Sequence, residues 1–187
     1  ILMPPHYGNW EWGVLSLPVQ LNHEVIGVYK PIRNPLIEGF MAKRRTRLGL
    51  QLAPIYITRR TFEQPPATPT LYIMMSDQNP SNRRKAQWVE FLNRPTACLY
   101  GADRWARKLD YPVVYMHVAR KRRGYYEIHL EEIHRHPAQT EDGAITLAFM
   151  KRLEAHLQAA PADWLWSHKR WKYTRESLIA QGIIPAE

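Results

Sequence analysis

The chain has 187 residues, 45% of them hydrophobic, and a formal net charge of +9. That length suits one domain with a sizeable core, and that composition excludes a disordered segment. The charge calls for an anionic partner: nucleic acid, an acidic membrane surface, or a phosphorylated substrate or carrier. Cys98 is the single cysteine, which excludes an intrachain disulfide and a cysteine-rich zinc site and fits a reducing compartment. No apolar run reaches the length of a membrane span, and the pattern of a signal peptide is absent.

The opening "ILMPPHY" reads as the end of a buried strand whose beginning lies upstream. "NWEWGVLSLPVQL" has helical content, with Asn9 as N-cap, Glu11 in the first turn beside the positive helix end, and Pro18 ending or kinking the helix. "EVIGVYK" (24–30) reads as a short buried strand. The clearest helix start follows, where Asn34 caps and Pro35 takes the first helical position. Leu36, Ile37, Phe40, Met41 and Leu48 recur near helical spacing, and Gly49 stops the helix. Its opposite face carries Lys43, Arg44, Arg45 and Arg47. Between Lys30 and Arg60 there are eight basic residues (30, 33, 43, 44, 45, 47, 59 and 60) and one acidic residue, Glu38. That bias exceeds what a solvated face requires and favours a phosphate-binding surface.

A Pro-rich connection (63–70) leads to "LYIMMSD", a buried strand that runs into Asp77-Gln78-Asn79-Pro80. "QWVEFLN" is expected as a strand, 99–110 as a helix, and "YPVVYMHVAR" and "GYYEIHLEEI" as a pair of strands. The "KRRG" turn between them is too short for a parallel crossover, so that pair is antiparallel. The stretch 143–160 is an amphipathic helix with Ile145, Phe149, Leu153 and Leu157 on one stripe. Helices alternating with short buried strands define an α/β domain: one unit over 1–187, with a mostly parallel or mixed central sheet flanked by helices.

Four features carry chemistry. His6 and Glu11 are five positions apart, and on one continuous helix they would diverge by about 140°. They can meet if His6 ends a strand loop and Glu11 opens the next helix. The carboxylate would then fix the imidazole tautomer and leave the other nitrogen as a base. The alternative is an ordinary loop histidine beside a capping-turn glutamate. Asp77 and Gln78 sit at a strand end, where α/β folds place ligand-binding groups; the plain alternative is an Asx turn before proline. His129, His134 and His136 follow no common ligand spacing, and no metal is expected there. "WLWSHKRWK" (164–172) has the composition of a base-stacking or membrane-interface element, or of a Trp-rich segment that closes the core.

The chain resembles the bacterial lipid A biosynthesis (late) acyltransferases, within the lysophospholipid and glycerolphosphate acyltransferase superfamily. The residues that carry the likeness are "HYGNWEWG", "VYKPIRNPLIEGFMAKRRTRLG", "MMSDQNP", "FLNRPTACLYGADRWARKLDYPVVY" and "WLWSHKRWK", in that order. The resemblance implies a single acyltransferase domain with a glycerolphosphate-acyltransferase-like fold, preceded by a membrane helix and a first strand. It implies transfer of a fatty acyl chain from an acyl carrier protein thioester to a hydroxyl of a phosphorylated lipid A precursor, at the cytoplasmic face of the bacterial inner membrane. No cofactor and no metal are implied. His6 matches the catalytic histidine and Glu11 its acidic partner. Asn9 opens the helix whose N–H groups face the reaction. Arg44, Arg45 and Arg47 are the candidates for phosphate or oxyanion binding, and Asp77 and Gln78 form the Asp-Gln element. Cys98 is expected to be buried and structural.

Three rivals stand beside that reading. One is the same chemistry on a lysophospholipid or aminolipid. Another is an inactive, membrane-associated fragment. The third is a basic nucleic-acid-binding module, which leaves His6, Glu11 and the Asp-Gln strand end without a task, so no nucleic acid is expected.

Overall fold

The computed structural model describes residues 1–186. The described residues form eight strands and six α-helices, and six of the strands make one central sheet. Strand β1 (Leu2–Met3) lies in the middle of it, between β4 (Thr70–Ile73) and β7 (Val113–Arg122), parallel to both. Beyond β4 come β2 (Glu24–Tyr29) and the edge strand β3 (Gln51–Pro54), also parallel. β8 (Tyr125–His134) closes the other edge as an antiparallel hairpin with β7, as the short turn requires. β5 (Gln87–Glu90) and β6 (Pro95–Cys98) form a separate two-stranded ribbon.

Successive side chains on a strand point to opposite faces, and the two hydrophobic clusters follow that alternation. Met3, Tyr72 and Tyr115 belong to one cluster; Leu2, Ile73 and Met116 belong to the other. On the first face the sheet is covered by α4 (Gly101–Leu109) and α5 (Ala144–Ala159), which buries Ile145, Phe149, Leu153 and Leu157 as its periodicity dictates. On the second it is covered by α1 (Trp10–Gln20) through Leu17. Burying a Leu or Phe side chain contributes roughly 1.5–3 kcal/mol, so the α5 stripe is a main anchor of that layer.

Two expectations need correction. α1 runs past Pro18 to Gln20, because a proline in the last turn forfeits a single helical hydrogen bond. α2 (Pro35–Arg45) starts on the Asn34 cap, whose side chain accepts from the N–H groups of Leu36 and Ile37. It then stops at Arg45, before Gly49, and buries none of its residues. Edge strand β3, strand β6 and the short helices α3 (Thr58–Glu63) and α6 (Arg175–Ala180) carry too few periodic residues to stand out in the sequence.

Candidate active site

The register of β1 on β4 determines the site. Leu2 lies opposite Ile73, and the Met74 N–H donates to the Leu2 carbonyl at 2.9 Å. Four residues beyond each partner come His6 and Asp77. Two chains leaving adjacent parallel strands at the same offset meet at the carboxyl edge of the sheet, where α/β folds gather polar groups. His6 Nδ1 lies 2.7 Å from Asp77 Oδ1, and the His6 backbone N–H donates to Asp77 Oδ2 at 2.9 Å.

The loop that carries His6 is tightly determined. Gly8 has φ +58°, and a Cβ there would lie 2.3 Å from the Val118 carbonyl oxygen of β7, so only glycine fits. Tyr7 bridges Trp164, the Gly8 N–H donates to the Asp163 carbonyl, and the Leu165 N–H donates to the His6 carbonyl. The segment 163–165 therefore acts as a short extra strand that pins the loop from outside. It also brings the Trp164 indole onto the carboxylate, where Nε1–H donates to Asp77 Oδ2 at 2.9 Å.

Asp77 thus accepts from three donors, and its side chain is 2% exposed. Burial pushes its carboxyl up. The His6 ring by hydrogen bond and by charge, the Trp164 indole and the His6 backbone N–H together outweigh burial and hold it below the usual carboxylate range. An ionised Asp77 accepts a proton-bearing Nδ1, so the other ring nitrogen, Nε2, is the one left for chemistry. The His6 side chain keeps 17% of its surface exposed. The Trp10 ring meets it edge-on at 5.3 Å, and Gln78 Nε2 lies 3.4 Å from its Nε2.

Glu11 does not hold His6. Its two oxygens accept from Arg45 Nε at 2.8 Å and Nη2 at 3.2 Å, a bidentate pair that ties the start of α1 to the end of α2. Helix geometry explains the correction: Asn9 caps α1, with its side chain accepting from the Trp12 N–H, and the first turn swings Glu11 away from the strand end. Of the three arginines expected to bind anions, Arg45 is thus engaged inside the molecule. Arg44 sits over the Phe40 ring at 4.1 Å on the exposed face, and Arg47 is exposed. The structure gathers His6, Asp77 and Gln78, holds Glu11 and Arg45 as a second pair at α1, and leaves Arg44 and Arg47 outside.

A further layer was missed from sequence. The Asn79 N–H donates to His168 Nε2 at 3.0 Å, and Asn79 Oδ1 accepts from Arg170 Nη1 at 3.2 Å. Arg170 is buried, and its Nη2 lies 3.2 Å from Cys98 Sγ. Burial pushes the Cys98 thiol up to about 11 and outweighs the help of Arg170, so the thiol stays protonated near neutral pH and is a poor nucleophile. Burial likewise lowers His168, as suits a ring nitrogen that accepts a backbone N–H. The Trp-rich stretch is therefore a closing element: Trp164 is buried in the core and Trp171 packs against it. Both "SDQNP" and "WLWSHKRWK" stood out in the sequence, but nothing in either announced that the two meet.

A strand-end histidine oriented by a buried carboxylate, with its second nitrogen beside the Gln78 amide and part of the ring exposed, is the arrangement of base-assisted group transfer. Residues 1–173 match the family model of the bacterial lipid A biosynthesis acyltransferases, and the chain belongs to that family. It is accordingly an acyltransferase enzyme with a role in lipid A biosynthesis. No curated protein matches the chain significantly.

Proposed function

We propose that His6 is the general base of acyl transfer and that Asp77 is the carboxylate that orients it. The observation that carries this reading is the 2.7 Å contact between His6 Nδ1 and the buried Asp77 Oδ1. His6 Nε2 takes the proton from the acceptor hydroxyl, and the oxygen attacks the thioester carbonyl. Asp77 stabilises the imidazolium that forms. Collapse of the tetrahedral intermediate breaks the carbon–sulfur bond, and His6 returns its proton to the leaving thiolate. No acyl-enzyme is needed.

Glu11 acts through Arg45 in this reading. The bidentate pair fixes the guanidinium beside α1, where it supplies positive charge for the developing oxyanion or for a substrate phosphate. The Gln78 amide lies 3.4 Å from His6 Nε2 and, with the first-turn N–H groups of α1, would supply neutral donors. The donor is a fatty acyl thioester of an acyl carrier protein, an acidic partner that suits a chain of net charge +9. The acceptor is a hydroxyl of a phosphorylated lipid A precursor, and the work is done at the cytoplasmic face of the inner membrane.

The test is an acyl-transfer assay with acyl carrier protein thioesters and a panel of lipid acceptors, read by mass spectrometry. Transfer to the lipid A precursor that disappears in His6→Ala, with an unchanged circular dichroism spectrum, supports the proposal. Near-normal transfer in His6→Ala overturns the mechanism. Preference for a lysophospholipid or aminolipid overturns the acceptor and leaves the base in place.

A further inference from the structure

α2 is built inside out. In a helix that packs on a core, the apolar stripe faces inward and the charged residues face water. Here the inward contacts are polar. Glu38 accepts from the Tyr29 hydroxyl at 2.6 Å and from the Ile32 N–H at 2.7 Å, and Arg45 reaches Glu11. At about 100° per residue, Glu38 and Arg45 fall on one side of the helix, while Leu36, Phe40, Ile37 and Arg44 fall on the other. That other side faces outward: Leu36 is 83% exposed, Phe40 55% and Ile37 50%. No ion pair among the described residues engages Lys43, Arg44 or Arg47.

The patch continues beyond the helix. Tyr29 at the end of β2 lies opposite Pro54 at the end of β3. The residues that follow each strand, Ile32 on one side and Ile55, Tyr56 and Ile57 on the other, are all exposed. They leave the same carboxyl edge of the sheet from which His6 and Asp77 emerge, and they are bordered by Lys30, Arg33, Arg59 and Arg60.

We propose that this face docks the enzyme onto an anionic lipid bilayer. Leu36, Ile37 and Phe40 enter the acyl boundary, and Lys43, Arg44 and Arg47 meet the headgroups. The inference rests on the reading that the substrates are membrane lipids. Charge complementarity chooses the occupant, since cations interleaved with outward apolar side chains suit a surface that is anionic above and hydrocarbon below. The guanidinium of Arg44 over the Phe40 ring keeps a charge and an apolar ring on the same outward face. Docking there would set the catalytic edge of the sheet toward the bilayer from which the acceptor comes.

The experiment is vesicle flotation of the whole chain, with phosphatidylcholine vesicles that do or do not contain phosphatidylglycerol. Binding is expected only with the anionic lipid and is expected to weaken with salt. The triple substitution Leu36→Ser, Ile37→Ser, Phe40→Ser should lower partitioning at least about tenfold. Arg44→Gln should lower it about fivefold. His6→Ala should float like the wild type, and the triple variant should still turn over an acceptor dispersed in detergent. Undiminished flotation of the triple variant overturns the proposal. So does a lipid-free wild-type dimer that the triple variant dissociates, because a second copy then covers the face. Loss of acyl carrier protein binding with vesicle binding retained also overturns it. Each of these results leaves the His6–Asp77 mechanism standing, and loss of transfer by the triple variant on the dispersed acceptor would count against the separation of docking from catalysis.

Discussion

Two carboxylates flank the His6 loop, and they live in different worlds. Asp77 lies just beyond the end of a central strand, is 2% exposed, and accepts from a ring nitrogen, an indole and a backbone N–H. Glu11 opens a helix, is 33% exposed, and is occupied by one arginine. The carboxylate near in sequence belongs to the cation, and the one 71 residues away belongs to the histidine. Parallel strands explain this: side chains leaving adjacent strand ends converge, whereas the next helix turns its first residues away.

The comparison is sharpened first by removing the base. His6→Ala should reduce kcat/KM by about 10²–10⁴-fold with the fold intact. Asp77→Asn should approach that loss, because an amide neither stabilises the imidazolium nor enforces the Nδ1–H tautomer. Steady-state kinetics of the two single variants and the double variant check this. Non-additive losses mean one unit, and a double variant that multiplies the single losses breaks the pairing.

Glu11→Gln and Arg45→Gln should each cost less, about 10- to 100-fold, through misplacement of the guanidinium. They should couple to each other and leave the His6–Asp77 cycle unchanged. If Glu11→Gln couples to His6→Ala as strongly as Asp77→Asn does, the division of labour between the two carboxylates is wrong.

The sequence made much of this readable, and the limits are physical. The Asn34-Pro35 start, the α5 stripe and the "KRRG" hairpin are local signals, and each appears where spacing placed it. His6 and Asp77 were both visible as polar groups at strand ends, yet their partnership depends on strand order, which no local pattern encodes. The outward direction of α2's apolar face was not legible, because periodicity reports which residues share a face and says nothing of which way that face points. Trp164 was legible as an aromatic in a closing segment, whereas its hydrogen bond to Asp77 spans 87 residues.

Trp164→Phe keeps an aromatic ring in the core and deletes one donor to Asp77. A hydrogen bond to a charged group contributes about 1.5–3 kcal/mol, so a loss of at least about tenfold in kcat is expected, with KM little changed. Equal losses in kcat and rising KM would assign the indole to substrate binding.

The smallest effect concerns acid stability, and it isolates Asp77 from catalysis. Burial opposes its charge, but its three donors hold its carboxyl below the ordinary value of 3.8. A carboxyl depressed in the folded state contributes stability that is fully present above the unfolded value and is lost as pH falls through the folded one. Urea melts between neutral pH and the acid range should therefore show wild-type stability falling once pH drops below about 4. Trp164→Phe removes one of the donors that lower Asp77, so it should narrow the window over which this contribution is lost. Asp77→Asn has no proton to take up, and its stability should change less over the same range. An Asp77→Asn curve as steep as the wild type's would mean that the three donors do not act on a buried carboxylate, and the contrast with Glu11 would lose its physical basis.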